Sequence, residues 1–260
     1  MTILDKILAD KSIEIAERKR ITTTHQLADQ ANFALKCISL KQHLLTSNSG
    51  IIAEFKRKSP SLGWICENAN VVAVTQGYCL AGASGVSILT DFSYFGGTPT
   101  DVIEARKHLT CPILRKDFVI DAYQIYETKA MGADVVLLIA AALTVQQTLE
   151  LAHQAHELGL EVLLEVHNEH ELKHANRYVD MLGVNNRNLK TFELNIQTSY
   201  SLAGLIPDAY VKISESGISS SDVVQTLRTA GYKGFLMGET FMKTEKPDFA
   251  LLKFLTELTS

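Results

Sequence analysis

Short apolar runs rich in β-branched residues recur along the chain, separated by stretches with the period of amphipathic helices. The runs are "GIIAEF" (50–55), "GVSIL" (85–89), "CPILRK" (111–116), "ADVVLLI" (133–139), "LEVLLEV" (160–166), "VDMLGV" (179–184), "AYVKIS" (209–214) and "GFLMG" (234–238). Thr144 and Asn168 stand where helix N-caps are expected. Gly132, Gly159 and Gly231 stand where helices should end. The pattern predicts a repeated strand–loop–helix–turn unit.

Eight such units within roughly 210 residues fit a (β/α)8 TIM barrel, an α/β fold. The alternative is a doubly wound open sheet, which usually carries a glycine-rich dinucleotide turn after its first strand. Neither GxGxxG nor GxxxxGK[ST] occurs in the chain. We therefore expect a single barrel domain that spans residues 1–260.

Residues 1–48 precede the first repeat and are predicted to form a helical extension of that domain. The segment "TILDKILADKSIEIAERKR" (2–20) has apolar residues at helical spacing, with Thr2 and Asp5 as a possible cap. The segment "SLKQHLL" (39–45) predicts a second short helix. Two positions remain open for this extension: a plug under the bottom of the barrel, or a lid over its active rim.

Polar side chains stand at the carboxyl ends of five predicted strands, where barrels carry their catalytic residues. They are Glu54 and Lys56, Lys116, Glu165, Asn185 and Arg187, and Glu215 and Ser216. Glu54 and Lys56 point the same way, because strand side chains alternate between two faces. Opposite charges gathered in one barrel mouth are costly to desolvate and stabilise a fold weakly. The cluster therefore predicts a reaction site.

The last two predicted strands suggest a phosphate site. In "SESGIS" (214–219) and "LMGET" (236–240), a glycine follows the strand, where backbone N–H groups can converge. Barrels commonly bind phosphate at the loops after strands 7 and 8, together with a short extra helix. The segment "ETFMK" (239–243) is a candidate for that helix.

Composition narrows the classes of function. The chain has ordinary globular content, 46% hydrophobic and 21% charged, and its net charge of −4 gives no general attraction to nucleic acid or anionic membranes. Its longest apolar run, "VVLLIAAAL" (135–143), is far shorter than the roughly 20 residues that span a bilayer. His167, His170 and His174 have spacings reminiscent of metal ligands, but a solvated helix face is the favoured interpretation for His170 and His174, and no metal site is predicted.

The four cysteines are scattered without a CxxC pair, and we expect all of them to be free thiols in a reducing cytoplasm. They are Cys37, Cys66, Cys79 and Cys111. The first twenty residues alternate acidic, basic and apolar positions, unlike a signal peptide. A cytoplasmic protein is therefore expected.

Seven segments together resemble the indole-3-glycerol phosphate synthase family over essentially the whole chain, including the N-terminal extension. They are "IIAEFKRKSPSLG", "SILTDFSYFGG", "PILRKDFVID", "LLEVHNE", "GVNNRNL", "KISESGI" and "FLMGETFM". The elements E-x-K-x-x-S-P, R-K-D-F and N-N-R-N-L are specific when they occur in this order. The resemblance implies a carboxy-lyase of tryptophan biosynthesis that needs no metal or organic cofactor. Its substrate, 1-(2-carboxyphenylamino)-1-deoxyribulose 5-phosphate, closes a pyrrole ring with loss of carbon dioxide and then water.

The resemblance also implies a role for each site residue. Lys116 would be the general acid that protonates the substrate carbonyl oxygen, Lys56 would hold the departing carboxylate, and Glu165 would act as acid or base in later steps. The remaining implied catalytic residues, which orient these groups and the substrate hydroxyls, are Glu54, Asn185 and Glu215. The implied substrate-binding residues are Ser59, Phe95, Phe118, Arg187, Ser216, Gly217, Leu236, Gly238 and Glu239. The division of acid and base work among Lys56, Lys116 and Glu165 stays open, including a second role for Lys56 as proton donor in the dehydration.

Position 239 departs from relatives that carry a small hydroxyl residue there; the backbone N–H can still bind phosphate, but the Glu239 side chain must point away.

Some relatives continue into a second barrel, and because this chain ends after its eighth helix we expect one function. A monomer is expected, with a weak homodimer as the alternative and a phosphorylated small molecule as the partner.

Three rival functions stay open: a Schiff-base aldolase with Lys116 as nucleophile, a sugar-phosphate isomerase, and an inactive barrel that acts as a binding protein.

Overall fold

The computed structural model describes residues 2–189, 191 and 193–259. Its parallel strands close into a barrel in which each strand pairs with its neighbours in the chain and β1 also pairs with β8. The strands are β1 (Ile51–Phe55), β2 (Gly85–Leu89), β3 (Ile113–Lys116), β4 (Val135–Ile139), β5 (Glu161–Val166), β6 (Met181–Asn185), β7 (Val211–Glu215) and β8 (Gly234–Met237). The predicted (β/α)8 barrel is confirmed, with every strand at its predicted place.

Helices surround this barrel and also precede it. They are α1 (Ile3–Ile21), α2 (Thr24–Ala28), α3 (Leu40–Thr46), α4 (Val71–Ala81), α5 (Phe92–Phe95), α6 (Pro99–Arg106), α7 (Ala122–Met131), α8 (Val145–Glu157), α9 (Gln197–Ala203), α10 (Ser221–Thr229), α11 (Glu239–Met242) and α12 (Pro247–Thr259). Short 3-10 helices cover Ala31–Ala34, Ala140–Ala142 and Glu169–His174. The predicted N-caps are confirmed, since the Thr144 and Asn168 side chains accept backbone N–H bonds from residues three positions on. No helix in the described part of the chain is long and apolar enough to cross a membrane.

The two faces of each strand have different environments. Along β1, Ile52 packs inside the barrel, whereas Ala53 and Phe55 pack outward against the surrounding helices. Both environments are dry, so every residue of β1 is buried. Because of this alternation, a polar residue that lies an even number of positions from Ile52 along β1 must point into the barrel interior. Glu54 is the first such residue near the carboxyl end of a strand.

The N-terminal extension reaches both ends of the barrel. Ile3, Leu4 and Ile7 of α1 line the cavity at the carboxyl ends of the strands. At the opposite end, Leu40 and Leu44 of α3 are buried against the first residues of β2 and β8. Thus α1 lies at the rim of the cavity, where the sequence offered a lid, and α3 lies at the bottom of the barrel, where it offered a plug.

The prediction of four free thiols is wrong for one pair of cysteines. Cys79, near the end of α4, and Cys111, just before β3, form a disulfide with their Cα atoms 6.5 Å apart. The remaining cysteines, Cys37 and Cys66, are free. The bonded residues are 32 positions apart and meet only because α4 packs beside the entry to β3, which their spacing in the sequence does not reveal.

Candidate active site

A cavity of about 330 Å3 opens at the carboxyl ends of the barrel strands. Every residue singled out from the sequence as catalytic or substrate-binding lines it. These are Glu54, Lys56, Ser59, Phe95, Lys116, Phe118, Glu165, Asn185, Arg187, Glu215, Ser216, Gly217, Leu236, Gly238 and Glu239. The strand register explains part of this convergence, because Asn185 on β6 stands directly beside Glu215 on β7.

Two of the lysines that line the cavity, Lys56 and Lys116, form ion pairs with carboxylates. Lys56 Nζ lies 2.7 Å from Glu54 Oε1. Lys116 Nζ lies 3.3 Å from Glu165 Oε2 and 4.0 Å from Glu215 Oε2. Burial alone would lower the pKa of Lys116, but the surrounding carboxylates, Glu165 first, outweigh it and raise that pKa above its ordinary value. Lys116 is therefore an ammonium ion with a proton to donate.

The carboxylates around Lys116 differ in their protonation states. Burial would raise the pKa of Glu165, but Lys116 and His167 lower it well below the usual range, so Glu165 is ionised. Burial and the neighbouring Glu165 raise the pKa of Glu215 to about 8, against the opposing effect of Lys116. Glu215 is therefore a neutral acid near pH 7. Lys56 and Lys116 outweigh burial at Glu54 and keep its pKa low.

Two glycines leave the room that these carboxylates occupy. A Cβ atom on Gly183 of β6 would come within 2.1 Å of Glu215 Oε1. A Cβ atom on Gly238, just after β8, would come within 2.6 Å of Glu54 Oε1. Contacts this short are not tolerated, so any larger residue would displace the carboxylate. Gly183 was not recognised from the sequence.

One end of the cavity is apolar. The rings of Phe95, at the end of α5, and Phe118, just after β3, have centroids 6.2 Å apart. Leu236 of β8 and the first turns of α1 complete this wall. An uncharged aromatic ring fits such a surface, because ring–ring contacts at this separation add to the burial of apolar area.

The opposite end of the cavity is built from the loop after β7 and the start of α11. Ser216 has a positive φ of 67°, unusual for a residue other than glycine, and Gly217 follows with 75°. Asn186, also missed from the sequence, donates to the carbonyl oxygens of Glu215 and Ser216 and so fixes this loop. A non-glycine residue in this conformation is strained, and such residues cluster at ligand sites.

Basic side chains approach this end of the cavity. Arg187 lines it and lies 3.6 Å from the Glu239 carboxylate. Lys243, which follows α11, lines it as well and was not recognised from the sequence. Together they offer positive charge to an anionic group near Ser216 and Gly217.

The histidines near β5 differ from the sequence interpretation. His170 is exposed, as expected for a solvated face, but His174 is buried and its Nδ1 lies 2.9 Å from Thr148 Oγ1. His167 lies between Glu165 and Glu171, a contact the sequence analysis missed. Strand alternation gives the missing signal, because His167 is two residues beyond Glu165. Among the residues the structure describes, no group of three or more His, Cys, Asp or Glu side chains could hold a metal ion.

The fold and this site define a (β/α)8-barrel enzyme whose cavity contains lysines paired with buried carboxylates. Residues 4–254 match the family model described as indole-3-glycerol phosphate synthase. The chain is 52% identical over 253 residues to the indole-3-glycerol phosphate synthase of Bacteroides thetaiotaomicron, covering 97% of each chain. It is 42% identical over 259 residues to that of Polynucleobacter asymbioticus, covering 96% of this chain and 97% of the relative. The chain therefore belongs to the indole-3-glycerol phosphate synthase family, carboxy-lyases of tryptophan biosynthesis.

Solved structures support the fold alone. A 3-hexulose-6-phosphate synthase from Salmonella typhimurium superposes with a TM-score of 0.63 at 13% identity, covering 80% of this chain and 98% of that chain. A thiamine phosphate pyrophosphorylase from Pyrococcus furiosus gives a TM-score of 0.60 at 14% identity, covering 85% of this chain and 98% of that chain. The barrel is thus shared with proteins whose sequences are very different from this one.

Proposed function

We propose that this cavity converts 1-(2-carboxyphenylamino)-1-deoxyribulose 5-phosphate into indole-3-glycerol phosphate, with loss of carbon dioxide and water. The observation that carries the proposal is the position of Lys116. Its ammonium lies between Glu165 and Glu215 in a cavity that has an apolar wall at one end and a basic, glycine-containing loop at the other. That arrangement matches a substrate with an aromatic ring at one end and a phosphate at the other.

Ring closure is the step assigned to Lys116. The aryl carbon that bears the carboxylate attacks the substrate carbonyl carbon, a carbon–carbon bond forms, and the carbonyl electron pair moves to oxygen. Lys116 donates its proton to that oxygen, which becomes a hydroxyl group. Acid catalysis by a positioned group typically contributes about 10²- to 10⁴-fold to a rate.

Decarboxylation and dehydration follow. Lys56 holds the carboxylate until the bond to carbon dioxide breaks and its electron pair restores the aromatic ring. The hydroxyl group then leaves as water after it gains a proton, and the new ring loses one. Lys56 and Lys116 are the candidate donors, and ionised Glu165 is the candidate acceptor. Glu54, Asn185 and Glu215 orient these groups and the substrate hydroxyls.

Substrate binding uses the two ends of the cavity. Phe95, Phe118 and Leu236 hold the aromatic ring by apolar contact, with Ser59 beside them. The backbone at Gly217 and Gly238 receives the phosphate, together with that of Ser216 and Glu239. Arg187 supplies positive charge at the phosphate end of the cavity, where it lies 3.6 Å from the Glu239 carboxylate.

The test is the appearance of indole fluorescence when the purified protein meets this substrate without added metal. We expect Lys116→Met to lower kcat by about 10²- to 10⁴-fold while the substrate still binds. Lys107→Met is the matched control, because Lys107 is exposed and pairs only locally with Glu104. Unchanged turnover in Lys116→Met would reject the assignment, and a borohydride-trapped adduct on Lys116 would favour an aldolase instead.

The proposal extends to the organisation of the molecule. Residues 1–260 act as one domain with 1–48 as its extension, because α1 contributes to the cavity wall. The protein is a monomer, which size-exclusion chromatography with light scattering would test. A cytoplasmic location follows from the proposed metabolic role. The cysteines no longer support that location, because Cys79 and Cys111 are bonded to each other.

A further inference from the structure

His167 lies just behind the proposed active site, at the end of β5, and none of the proposed steps uses it. It follows Glu165 by two residues and is mostly buried, with 12% of its side chain exposed. Its Nε2 lies 3.3 Å from Glu165 Oε1, and its Nδ1 lies 3.2 Å from Glu171 Oε2. The imidazole thus stands between two carboxylates.

This geometry favours a doubly protonated ring. A neutral imidazole has one nitrogen without a proton, and the lone pair on that nitrogen would face a carboxylate oxygen. With both nitrogens protonated, each carboxylate meets an N–H group. The Nε2 contact is an ion pair without the alignment of a full hydrogen bond. Burial would lower the pKa of His167, but Glu165 and Glu171 raise it to about 10.

Glu165 is consequently held by a cation at each of its oxygens. Lys116 Nζ approaches Oε2, and His167 approaches Oε1 from the other side. The side chain is 1% exposed, so water cannot replace either partner at low cost. Any rotation of this carboxylate must break at least one of the two contacts.

Glu171 is itself fixed, which makes it a firm support for the ring. Its Oε2 accepts the backbone N–H of His167 at 2.8 Å, and its Oε1 accepts from Asn168 Nδ2 at 2.7 Å. Its own backbone N–H donates to Asn168 at the start of the 3-10 helix. The titratable groups that act on His167 are thus Glu165, Glu171 and, at longer range, Glu215.

We propose that His167 is a positioning residue that, as an imidazolium ion supported by Glu171, keeps the Glu165 carboxylate ionised and aimed at Lys116. The inference rests on the proposed function only for its effect on turnover. The charge state of the ring is a property of the folded protein and can be measured without substrate.

The kinetic experiment compares His167→Gln and Glu171→Gln with His170→Gln. His170 is the matched control, because it lies on the 3-10 helix that carries Glu171 but is exposed. We expect His167→Gln to lower kcat by about 10- to 100-fold, the effect of a misplaced catalytic group, with KM changed much less. The acid limb of its pH profile should move to higher pH, because loss of the cation raises the pKa of Glu165. Glu171→Gln should act in the same direction but less strongly, and His170→Gln should match the parent protein.

The second experiment reads the imidazole directly, by NMR titration of its ring nitrogens, assigned by the signal lost in His167→Gln. We expect His167 to be fully protonated near pH 8 and to titrate at lower pH in Glu171→Gln. A neutral ring near pH 8 would overturn the inference even if the enzyme is active. So would an unshifted pH profile in an active His167→Gln protein. If the parent protein has no synthase activity, the proposed function fails, and the titration still decides the charge of His167.

Discussion

At the scale of single residues, the site contains two buried glutamates that differ in protonation state. Glu165 is ionised because Lys116 and His167 stabilise its charge. Glu215, two strands away on β7, keeps its proton because burial and the charge of Glu165 both oppose ionisation. A neutral carboxyl group and a carboxylate beside one ammonium give Lys116 a different electrostatic environment from two ionised glutamates. Because Glu215 is neutral, Lys116 has one ionised carboxylate fewer beside it and releases its proton more readily than it would beside an ionised Glu215.

This difference predicts a pH dependence at Glu215. As pH rises through about 8, Glu215 loses its proton and becomes another carboxylate beside Lys116, which makes Lys116 a weaker acid. We expect kcat to decline over that range in the parent protein. In Glu215→Gln, which cannot ionise, the decline should disappear, while kcat near neutral pH is largely kept. A decline of the same size in the glutamine variant would assign it to another group.

Gly183 gives a second prediction at this scale. In Gly183→Ala the new Cβ would overlap Glu215 Oε1, the mobile end of a side chain, so the carboxyl group moves and the fold survives. We expect kcat to fall by about 10- to 100-fold, with little change in the midpoint of thermal unfolding. Gly204→Ala is the control, because no atom of the residues that the structure describes lies within 4 Å of the added Cβ there. Equal activity in the two variants would contradict a placement role for Gly183.

The sequence predicts some residues of this site better than others, for a physical reason. Alternation along a strand identifies Glu54, Lys116 and Glu165 as side chains at the same mouth. It does not identify Gly183, whose importance lies in the space it leaves for a residue of the next strand. His167 follows the same alternation, but its role depends on a carboxylate from the following helix.

At the scale of elements, α1 is attached to the rim of the barrel by a buried lysine. Lys11 is 1% exposed, and its Nζ lies 2.8 Å from Asp91 and 3.0 Å from Asp117. Asp91 caps α5, which carries Phe95, and Asp117 follows Lys116 on the outer side of β3. Burial would lower the pKa of Lys11, but the two aspartates raise it above its ordinary value. One ammonium thus joins α1 to two segments beside the cavity.

Loss of this ammonium should loosen the lid. In Lys11→Met the two aspartates lose a shared partner, and removing one member of a buried ion pair costs about 3–5 kcal/mol. We expect KM to rise about tenfold, equivalent to about 1.4 kcal/mol of binding, with a smaller change in kcat. Amide hydrogen exchange should become faster along Ile3–Ile21.

Lys6→Met is the control for this change, because Lys6 lies on the same helix but is exposed. If both variants keep the parent KM and exchange rates, the contacts of Lys11 with Asp91 and Asp117 do not hold α1 in place at the cavity. If only exchange changes, α1 is loosened but does not contribute to substrate binding.

Hydrophobic periodicity predicts the elements of the barrel but not the path of the extension. All eight strands form because their apolar runs have no other way to bury both faces. The amphipathic pattern of α1 requires only some apolar surface to cover, and both ends of a barrel offer one. The buried partners of Lys11 decide the matter, and Asp91 and Asp117 are far from it in the chain.

At the scale of the whole molecule, the two ends of the barrel have different functions. The carboxyl end contains charged groups, a strained loop and a cavity, all of which cost stability. The opposite end is closed by α3, whose Leu40 and Leu44 are fully buried. A rigid, well-packed lower end maintains the strand register on which the convergence of Glu165, Asn185 and Glu215 depends.

This division predicts that replacing leucine by alanine has different effects at the two ends of the barrel. Leu40→Ala removes buried side-chain atoms far from the cavity, so we expect the free energy of unfolding to fall by about 2–5 kcal/mol. Its kcat and KM, measured well below the unfolding transition, should stay unchanged. Leu4→Ala at the cavity wall should instead raise KM, and its stability should fall less because Leu4 is only partly buried. Denaturant unfolding and steady-state kinetics on both variants test this. A raised KM in Leu40→Ala would mean that the lower end also sets the geometry of the site.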